Sequence, residues 1–145
     1  MSGENIMQFY KKLKESSFRF TFFMWLVALH SFATGLGLVF LPGELFEKLG
    51  YSIITERFFA VQGGIFHIVM CIGYLMAAFG KEKFEGVVYL SIIAKLFATF
   101  FLLTYSFAVT WILVVFLSGI FDFLMGVIIY CLYKQYKKSL PAWAG

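Results

Sequence analysis

From Gly86 to Tyr133 the chain carries only two charged side chains, Lys95 and Asp122, and this long apolar stretch constrains the fold most. A helix of about 20 apolar residues spans a bilayer core, so the stretch has about twice the length that one crossing needs. It therefore predicts two membrane helices that fold back on each other. We place the turn between them near residues 104–110, around Tyr105–Ser106, where neither glycine nor proline marks it.

Two further apolar stretches precede this one, at about residues 20–41 and 58–79, and both contain glycine, which membrane helices tolerate. Together with spans at about 86–105 and 110–133, they predict an all-α, integral-membrane four-helix bundle that forms one domain over residues 1–145. The composition agrees, because 61% hydrophobic and 14% charged residues suit helices solvated by lipid better than a water-soluble domain.

The segment before the first span is polar, and its apolar side chains recur at helical spacing: Ile6, Phe9, Tyr10 and Leu13. This pattern over residues 1–18 predicts either a short helix lying in the membrane interface or a frayed, solvated chain end. After the first span, Pro42 is predicted to open a second short helix, which Gly50 ends.

Basic residues are distributed unevenly between the two sides of a four-span bundle. One side holds the N-terminal lead, the loop between spans two and three and the C-terminal tail, with Lys11, Lys12, Lys14, Arg19, Lys81, Lys83, Lys134, Lys137 and Lys138. The opposite side holds only Lys48 and Arg57. The positive-inside rule therefore predicts that both termini are cytoplasmic.

Each predicted span has one polar or ionisable residue near its centre: His30, His67, Lys95 and Asp122. At a rise of 1.5 Å per residue, these four side chains share a depth to within roughly 3 Å. A charge at mid-bilayer costs about 2.5–3.5 kcal/mol, so two isolated charges there are unfavourable. We therefore predict that Lys95 and Asp122 pair inside the bundle. The pair either fixes only the helix register, or one partner titrates or binds a substrate.

Small and polar residues flank this layer and are predicted to face the bundle interior with it. Ser118 and Gly126 lie one helical turn on either side of Asp122, where small side chains let helices approach closely. The two histidines are predicted to be neutral and to hydrogen-bond Gln62, Thr34, Asp122 or a backbone carbonyl. The candidates for a polar core or ligand site are therefore His30, Thr34, Gln62, His67, Lys95, Ser118 and Asp122.

Two alternatives use the same layer. The first is a haem b or quinone-linked redox membrane protein, because His30 and His67 are the minimum for bis-imidazole ligation of haem. Arg57, a candidate partner for the haem propionates, lies about 15 Å from His67 along the helix, which opposes the haem hypothesis. Proton-coupled transport of a small molecule is the other alternative, because ionisable groups at mid-membrane mark transport paths.

Other classes of function have no support in the sequence. Two histidines and one carboxylate match a facial metal triad in type, but no ligand-spacing motif accompanies them, so neither a metal nor another cofactor is predicted. No catalytic constellation is present, which favours a non-enzymatic role. No basic patch is interleaved with exposed aromatics, so nucleic acid is not a predicted partner.

Three features resemble the DoxX-like group of small four-helix bacterial inner-membrane proteins. These are the LVFLPGELFEKLG exit from the first span, the RFFAVQGGIFHIVMCIGYLMAA opening of the second, and Asp122 in the last. The resemblance covers most of the chain. It implies a four-helix bundle in the bacterial inner membrane and association with redox or respiratory partners, and it carries no established catalytic residues.

The function predicted from these observations is that of a small membrane subunit, either accessory or ligand-binding, with a polar core at the midplane. Its expected partners are the lipid bilayer and either other membrane proteins or further copies of itself.

Overall fold

The computed structural model describes residues 3–52 and 56–140, with side chains from residue 7 onwards. The described chain is helical, with elements α1 (Gly3–Phe40), α2 (Gly43–Lys48), α3 (Phe58–Phe79), α4 (Glu85–Ala108) and α5 (Leu113–Ser139). Four of these helices, all except α2, are long and apolar enough to cross a membrane. The fold is therefore that of a small integral-membrane protein built as a four-helix bundle.

The first membrane helix begins earlier than the sequence predicts. α1 is one continuous helix of 38 residues, about 57 Å long at 1.5 Å per residue. The expected separate helix or frayed end over residues 1–18 is therefore replaced, from residue 3 onwards, by the first turns of α1. Residues 4–34 contain no glycine or proline. The helix therefore continues without a break from the polar N-terminal segment into the predicted span. Residues 1–2 and the side chain of Ile6 lie outside the described part of the chain.

The short helix after the first span is confirmed, and a Schellman motif ends it. Gly50 has a φ of 95°, a conformation that favours glycine. Its N–H donates to Glu47 O at 2.9 Å, and the N–H of Tyr51 donates to Phe46 O at 3.0 Å. This reversal turns Tyr51 back towards the bundle, where its ring packs edge-on against that of Phe46.

The turn between the last two membrane helices lies later than predicted. α4 continues through Tyr105 and Ser106 to Ala108, and α5 begins at Leu113. The Ser106 hydroxyl donates to Leu102 O at 2.8 Å, so it bonds within its own helix and does not form a turn. The reversal is therefore confined to residues 109–112.

The bundle consists of two tightly packed helical hairpins, α1 with α3 and α4 with α5, which also pack against each other. Backbones touch in the first hairpin, because a Cβ atom added to Gly35 would lie 2.8 Å from Gly64 O. In the second hairpin, a Cβ atom on Gly119 would lie 3.0 Å from a methyl carbon of Leu103. Small residues at these crossings let membrane helices approach closely.

The first half of α1 and the end of α5 meet at one end of the bundle, here called the terminal end. Ser16 Oγ and Ser139 Oγ lie 2.7 Å apart, and the Phe20 and Tyr133 rings pack with centroids 5.5 Å apart. The main buried apolar cluster occupies this half of the bundle, with Phe20, Met24, Val27, Ala28, Tyr74, Ala77, Ala78, Val88, Ile92, Ile129, Tyr133 and Tyr136.

The loop between α3 and α4 lies at the terminal end as well. Lys81 Nζ donates to Thr21 Oγ1 at 3.1 Å and lies 5.1 Å from the ring centroid of Tyr136, whose hydroxyl donates to Glu82. Burial lowers the pKa of Lys81, against a smaller opposing effect of the Glu82 carboxylate. These contacts tie the loop to both α1 and α5.

The opposite end, here called the α2 end, is held by Arg57. Its Nη2 donates to Leu41 O at 2.8 Å and to Val39 O at 3.2 Å. Carbonyls in the last turn of a helix have no partner within that helix, so this guanidinium caps α1 and complements its dipole. The α4–α5 reversal lies at the same end, where Ile112 is close to Gly50.

Candidate functional site

The predicted pairing of Lys95 with Asp122 is confirmed. Lys95 Nζ lies 2.5 Å from Asp122 Oδ1, and the two side chains are 4% and 9% exposed. Lys95 Nζ also lies 5.6 Å from the ring centroid of Tyr74 on α3, within the range of a cation–π contact. The pair therefore joins α4 to α5 and also contacts α3.

Glycine allows the close approach that this ion pair needs. A Cβ atom added to Gly126, one turn after Asp122, would lie 3.3 Å from the Lys95 Cβ. On α4, Ser91 and Thr99 lie four residues on either side of Lys95 and are buried beside it. Their hydroxyls donate to Val87 O and Lys95 O, both at 2.8 Å, so they bond within α4 and do not reach the carboxylate.

A cavity of about 310 Å³, here called the inner cavity, lies next to the ion pair. It lies between the helices in the half of the bundle that is nearer the α2 end, here called the α2 half. It brings together five of the residues predicted from the sequence, together with one from the loop after α2: His30, Thr34, His67, Ser118, Asp122 and Tyr51. The rest of its lining is apolar and comes from all the membrane helices except α3: Leu38, Ala98, Phe101, Leu102 and Val115.

His67 has a defined partner that the sequence did not indicate. The Ser31 hydroxyl donates to His67 O at 2.9 Å, and the same oxygen lies 3.3 Å from His67 Nδ1. Because the hydroxyl hydrogen is used on the carbonyl, Nδ1–H is the donor to the serine oxygen. A neutral ring then keeps its lone pair on Nε2, which leaves one acceptor for a further group.

His30 differs from His67 because its imidazole is exposed. The Thr34 hydroxyl donates at 2.9 Å to the backbone carbonyl of His30, not to its ring. Ser118 similarly donates to Val114 O at 2.7 Å within its own helix. The predicted hydrogen bond from Thr34 to a histidine ring is therefore absent, and both hydroxyls meet the cavity through their oxygen lone pairs.

Gln62 lies outside this cavity, contrary to its place among the predicted core residues. It is exposed and lines a separate apolar groove with Phe58, Val61, Ile65, Phe66 and Val69. At 3.6 residues per turn, five residues separate Gln62 from His67 by about 140° around α3. The two side chains therefore cannot share the interior face, and Gln62 is not a partner of His67.

Ser31 and Tyr51 are the site residues that sequence reasoning missed. Ser31 is one residue from His30 and three from Thr34, and its 1% exposure follows from the approach of α3 at Gly64, a contact that spacing along one chain does not reveal. Tyr51 lies in a polar loop, and only the Gly50 reversal directs it inwards. Burial raises the pKa of Tyr51, and the nearby Tyr105 hydroxyl adds to this effect.

The fold and the site define a class: a small integral-membrane helical bundle with a cavity between its helices, next to a buried ion pair. Comparisons of the chain with family models, with curated proteins and with solved structures find no match. The resemblance to the DoxX-like group therefore stays a prediction that depends on its sequence motifs.

Proposed function

We propose that this protein binds a small molecule inside the membrane, in the inner cavity. The observation that carries the proposal is the convergence of His30, His67 and Asp122, from three different helices, on one cavity. Ligand sites are concave and mostly apolar, with a few convergent polar groups. The inner cavity has this character, and its volume of about 310 Å³ lies at the small end of the usual range of about 300–1,000 Å³.

The electrostatics of the cavity favour an uncharged ligand. The Asp122 carboxylate is neutralised by Lys95 at 2.5 Å, and a neutral His67 ring offers one acceptor nitrogen. A charged ligand would lose its hydration without meeting an uncompensated opposite charge, which is costly at low dielectric. The ligand that fits is therefore small, mainly apolar and able to form one or two hydrogen bonds.

The proposal is tested by filling the cavity. Ser118→Phe places a ring in the inner cavity, whereas Ile120→Phe, two residues along the same helix, adds the same kind of bulk on an exposed position. Both variants and the wild type would be purified in mild detergent, and co-purifying small molecules would be extracted and measured by mass spectrometry. We expect a stoichiometric molecule with the wild type and Ile120→Phe, and its loss from Ser118→Phe.

Circular dichroism melts of the same samples would show that all three proteins are folded. A co-purified molecule that is retained equally by folded Ser118→Phe would contradict binding in the inner cavity. A folded wild type that carries no molecule and takes up none from added membrane extract would end the proposal.

A haem b protein is the second candidate, because His30 and His67 line the same cavity. An optical spectrum of protein purified from cells supplied with haem decides it. A Soret band that disappears in His67→Ala would replace the small-molecule proposal with the haem one. Proton-coupled flux measured in proteoliposomes decides the transport alternative in the same way.

We also propose that both termini are cytoplasmic, in the inner membrane of a bacterium, and that the protein works beside other membrane proteins. Basic residues at the terminal end support the orientation, since Lys14, Lys81 and Lys137 all belong to that end. A C-terminal green fluorescent protein fusion should fluoresce, and an alkaline phosphatase fusion at the same position should be inactive. The reverse result would overturn the orientation.

A further inference from the structure

A second cavity lies on the outside of the bundle, between α1 and α5. This outer groove has a volume of about 300 Å³ and is lined by Phe23, Leu26, Val27, His30, Phe121 and Met125. All of these side chains except His30 are apolar. His30 lines the inner cavity as well, so the groove and the inner cavity adjoin each other at this residue.

His30 lies on the exposed face of α1. Leu26 and Leu29, on the same helix, are 46% and 62% exposed, as expected of residues that contact lipid. Within the described chain, the only side-chain hydrogen bond at His30 goes to its backbone carbonyl. An imidazole without a partner in an apolar medium is unfavourable, so a ligand that hydrogen-bonds this ring would be stabilised there.

The packing of α1 against α5 limits how far the groove can open. At the terminal end the two helices are held by the contact between Ser16 and Ser139 and by the packing of Phe20 on Tyr133. The groove begins beyond these contacts, at Phe23, and reaches His30 about 10 Å further along α1 at 1.5 Å per residue. Its apolar lining over this length suits a hydrocarbon chain.

We propose that the outer groove is the route from the bilayer into the inner cavity and holds the tail of the ligand. The ligand class is a single-chain amphiphile with a hydroxyl head group, such as a long-chain alcohol. The hydroxyl donates to His67 Nε2 and accepts from His30, while the chain lies against Phe23, Phe121 and Met125. This inference rests on the proposed function, because it assigns the ligand class and access route of the same site.

The test uses hexadecanol derivatives with a photoreactive diazirine, placed either in the middle of the chain (the tail probe) or next to the hydroxyl (the head probe). The wild-type protein in phosphatidylcholine nanodiscs would be labelled under ultraviolet light and mapped by peptide mass spectrometry. We expect the tail probe to label residues 23–30 and 121–125, and the head probe to label residues that line the inner cavity. Excess unlabelled hexadecanol should remove both signals.

Two variants separate the groove from the head-group contact. Met125→Trp fills the groove and should lower competable labelling by the tail probe about tenfold, whereas Leu124→Trp, on the exposed side of α5, should not. His30→Leu should weaken labelling by the hydroxyl probe but leave labelling of the groove by a diazirine-bearing hexadecane unchanged. Size-exclusion profiles matching the wild type would show that each variant is folded.

The outcomes distinguish this inference from the proposed function. Competable labelling of the inner cavity that is unaffected by Met125→Trp would overturn the groove as the route and leave ligand binding in place. Equal binding of hexadecanol to wild type and His30→Leu would overturn the hydroxyl recognition. A wild type that hexadecanol does not protect, while another molecule co-purifies and is lost in Ser118→Phe, would reject the ligand class alone.

Discussion

Breaking the Lys95–Asp122 ion pair should destabilise the bundle by an amount that depends on pH. Lys95→Met keeps an unbranched side chain but leaves a carboxylate that is 9% exposed in the wild type without its partner. Removing one member of a buried pair typically costs about 3–5 kcal/mol. Protonation sets an upper limit, because neutralising an isolated aspartic acid at pH 7 costs about 4 kcal/mol. We therefore expect a loss of about 3–4 kcal/mol at pH 7.

The pH dependence distinguishes this mechanism from a loss of packing. If the unpaired carboxyl in Lys95→Met is protonated in the folded state, the loss should shrink by up to about 1.4 kcal/mol for each pH unit below 7. Lys95→Ala should lose more than Lys95→Met at every pH, because it also removes the side-chain stem that packs near Gly126. The difference between these two variants should not change with pH.

The double variant Lys95→Met/Asp122→Asn gives the coupling energy. Because both charges are removed together, we expect the double variant to lose less unfolding free energy than the sum of the losses in Lys95→Met and Asp122→Asn. The difference should be about 3 kcal/mol or more. Unfolding by sodium dodecyl sulfate in mixed micelles, followed by tryptophan fluorescence between pH 5 and pH 8, measures all of these quantities. Additive losses with no pH dependence would show that the pair is not buried in the membrane-inserted protein.

Three further predictions test the packing, the α2 end and the terminal end. Gly35→Ala should destabilise the bundle by about 1–3 kcal/mol, because the added Cβ meets a backbone oxygen at 2.8 Å. The control Gly73→Ala, whose Cβ meets nothing within 4 Å, should be neutral or stabilising by up to about 1 kcal/mol. Equal effects of the two variants in the same unfolding assay would disprove the close crossing of α1 and α3. Arg57→Met should cost about 1.5–3 kcal/mol and speed amide hydrogen exchange in the last turn of α1, while Lys48→Met at the same end should change neither. Burial lowers the pKa of Lys81 below its ordinary 10.5, so just below pH 10.5 the unfolded chain binds more protons than the folded one. The free energy of unfolding should therefore rise with pH in this range, and Lys81→Met should remove the rise. Identical pH profiles for the wild type and Lys81→Met would contradict this prediction.

The sequence predicted the membrane helices and the ion pair for one physical reason. Lipid does not hydrogen-bond the backbone or solvate charge, so long apolar runs must be helical, and two isolated charges at one depth must meet. Lys95 and Asp122 stand out because their surroundings are uniformly apolar. The boundaries were less accurate where polar residues form local hydrogen bonds, as at Ser106, whose hydroxyl bonds to Leu102 O within the helix.

The set of residues that line the inner cavity could not be predicted from the sequence alone. Periodicity places His67 on a face of α3, but only the contact of Gly35 with Gly64 brings Ser31 within 3.3 Å of its ring. Gln62 shows the converse, because a polar residue in an apolar span was assigned to the interior although its helical position directs it outwards. The polarity of a residue in a span indicates the free-energy cost of placing its side chain at that depth in the membrane. The direction in which the side chain faces depends on which helices pack beside it.

The position of the cavity follows from where the two hairpins meet. Aromatic packing of Phe20 and Tyr133 and the contact of Ser16 with Ser139 join the hairpins at the terminal end, and the main apolar cluster fills that half. Each hairpin is close-packed internally by glycine, so neither can widen to fill a space between them. The remaining volume therefore collects in the α2 half, beside Asp122. The Lys95–Asp122 ion pair lies at the boundary between the half that the apolar cluster fills and the α2 half that contains the inner cavity. The most polar group of the bundle is therefore placed where a ligand in the inner cavity can reach it.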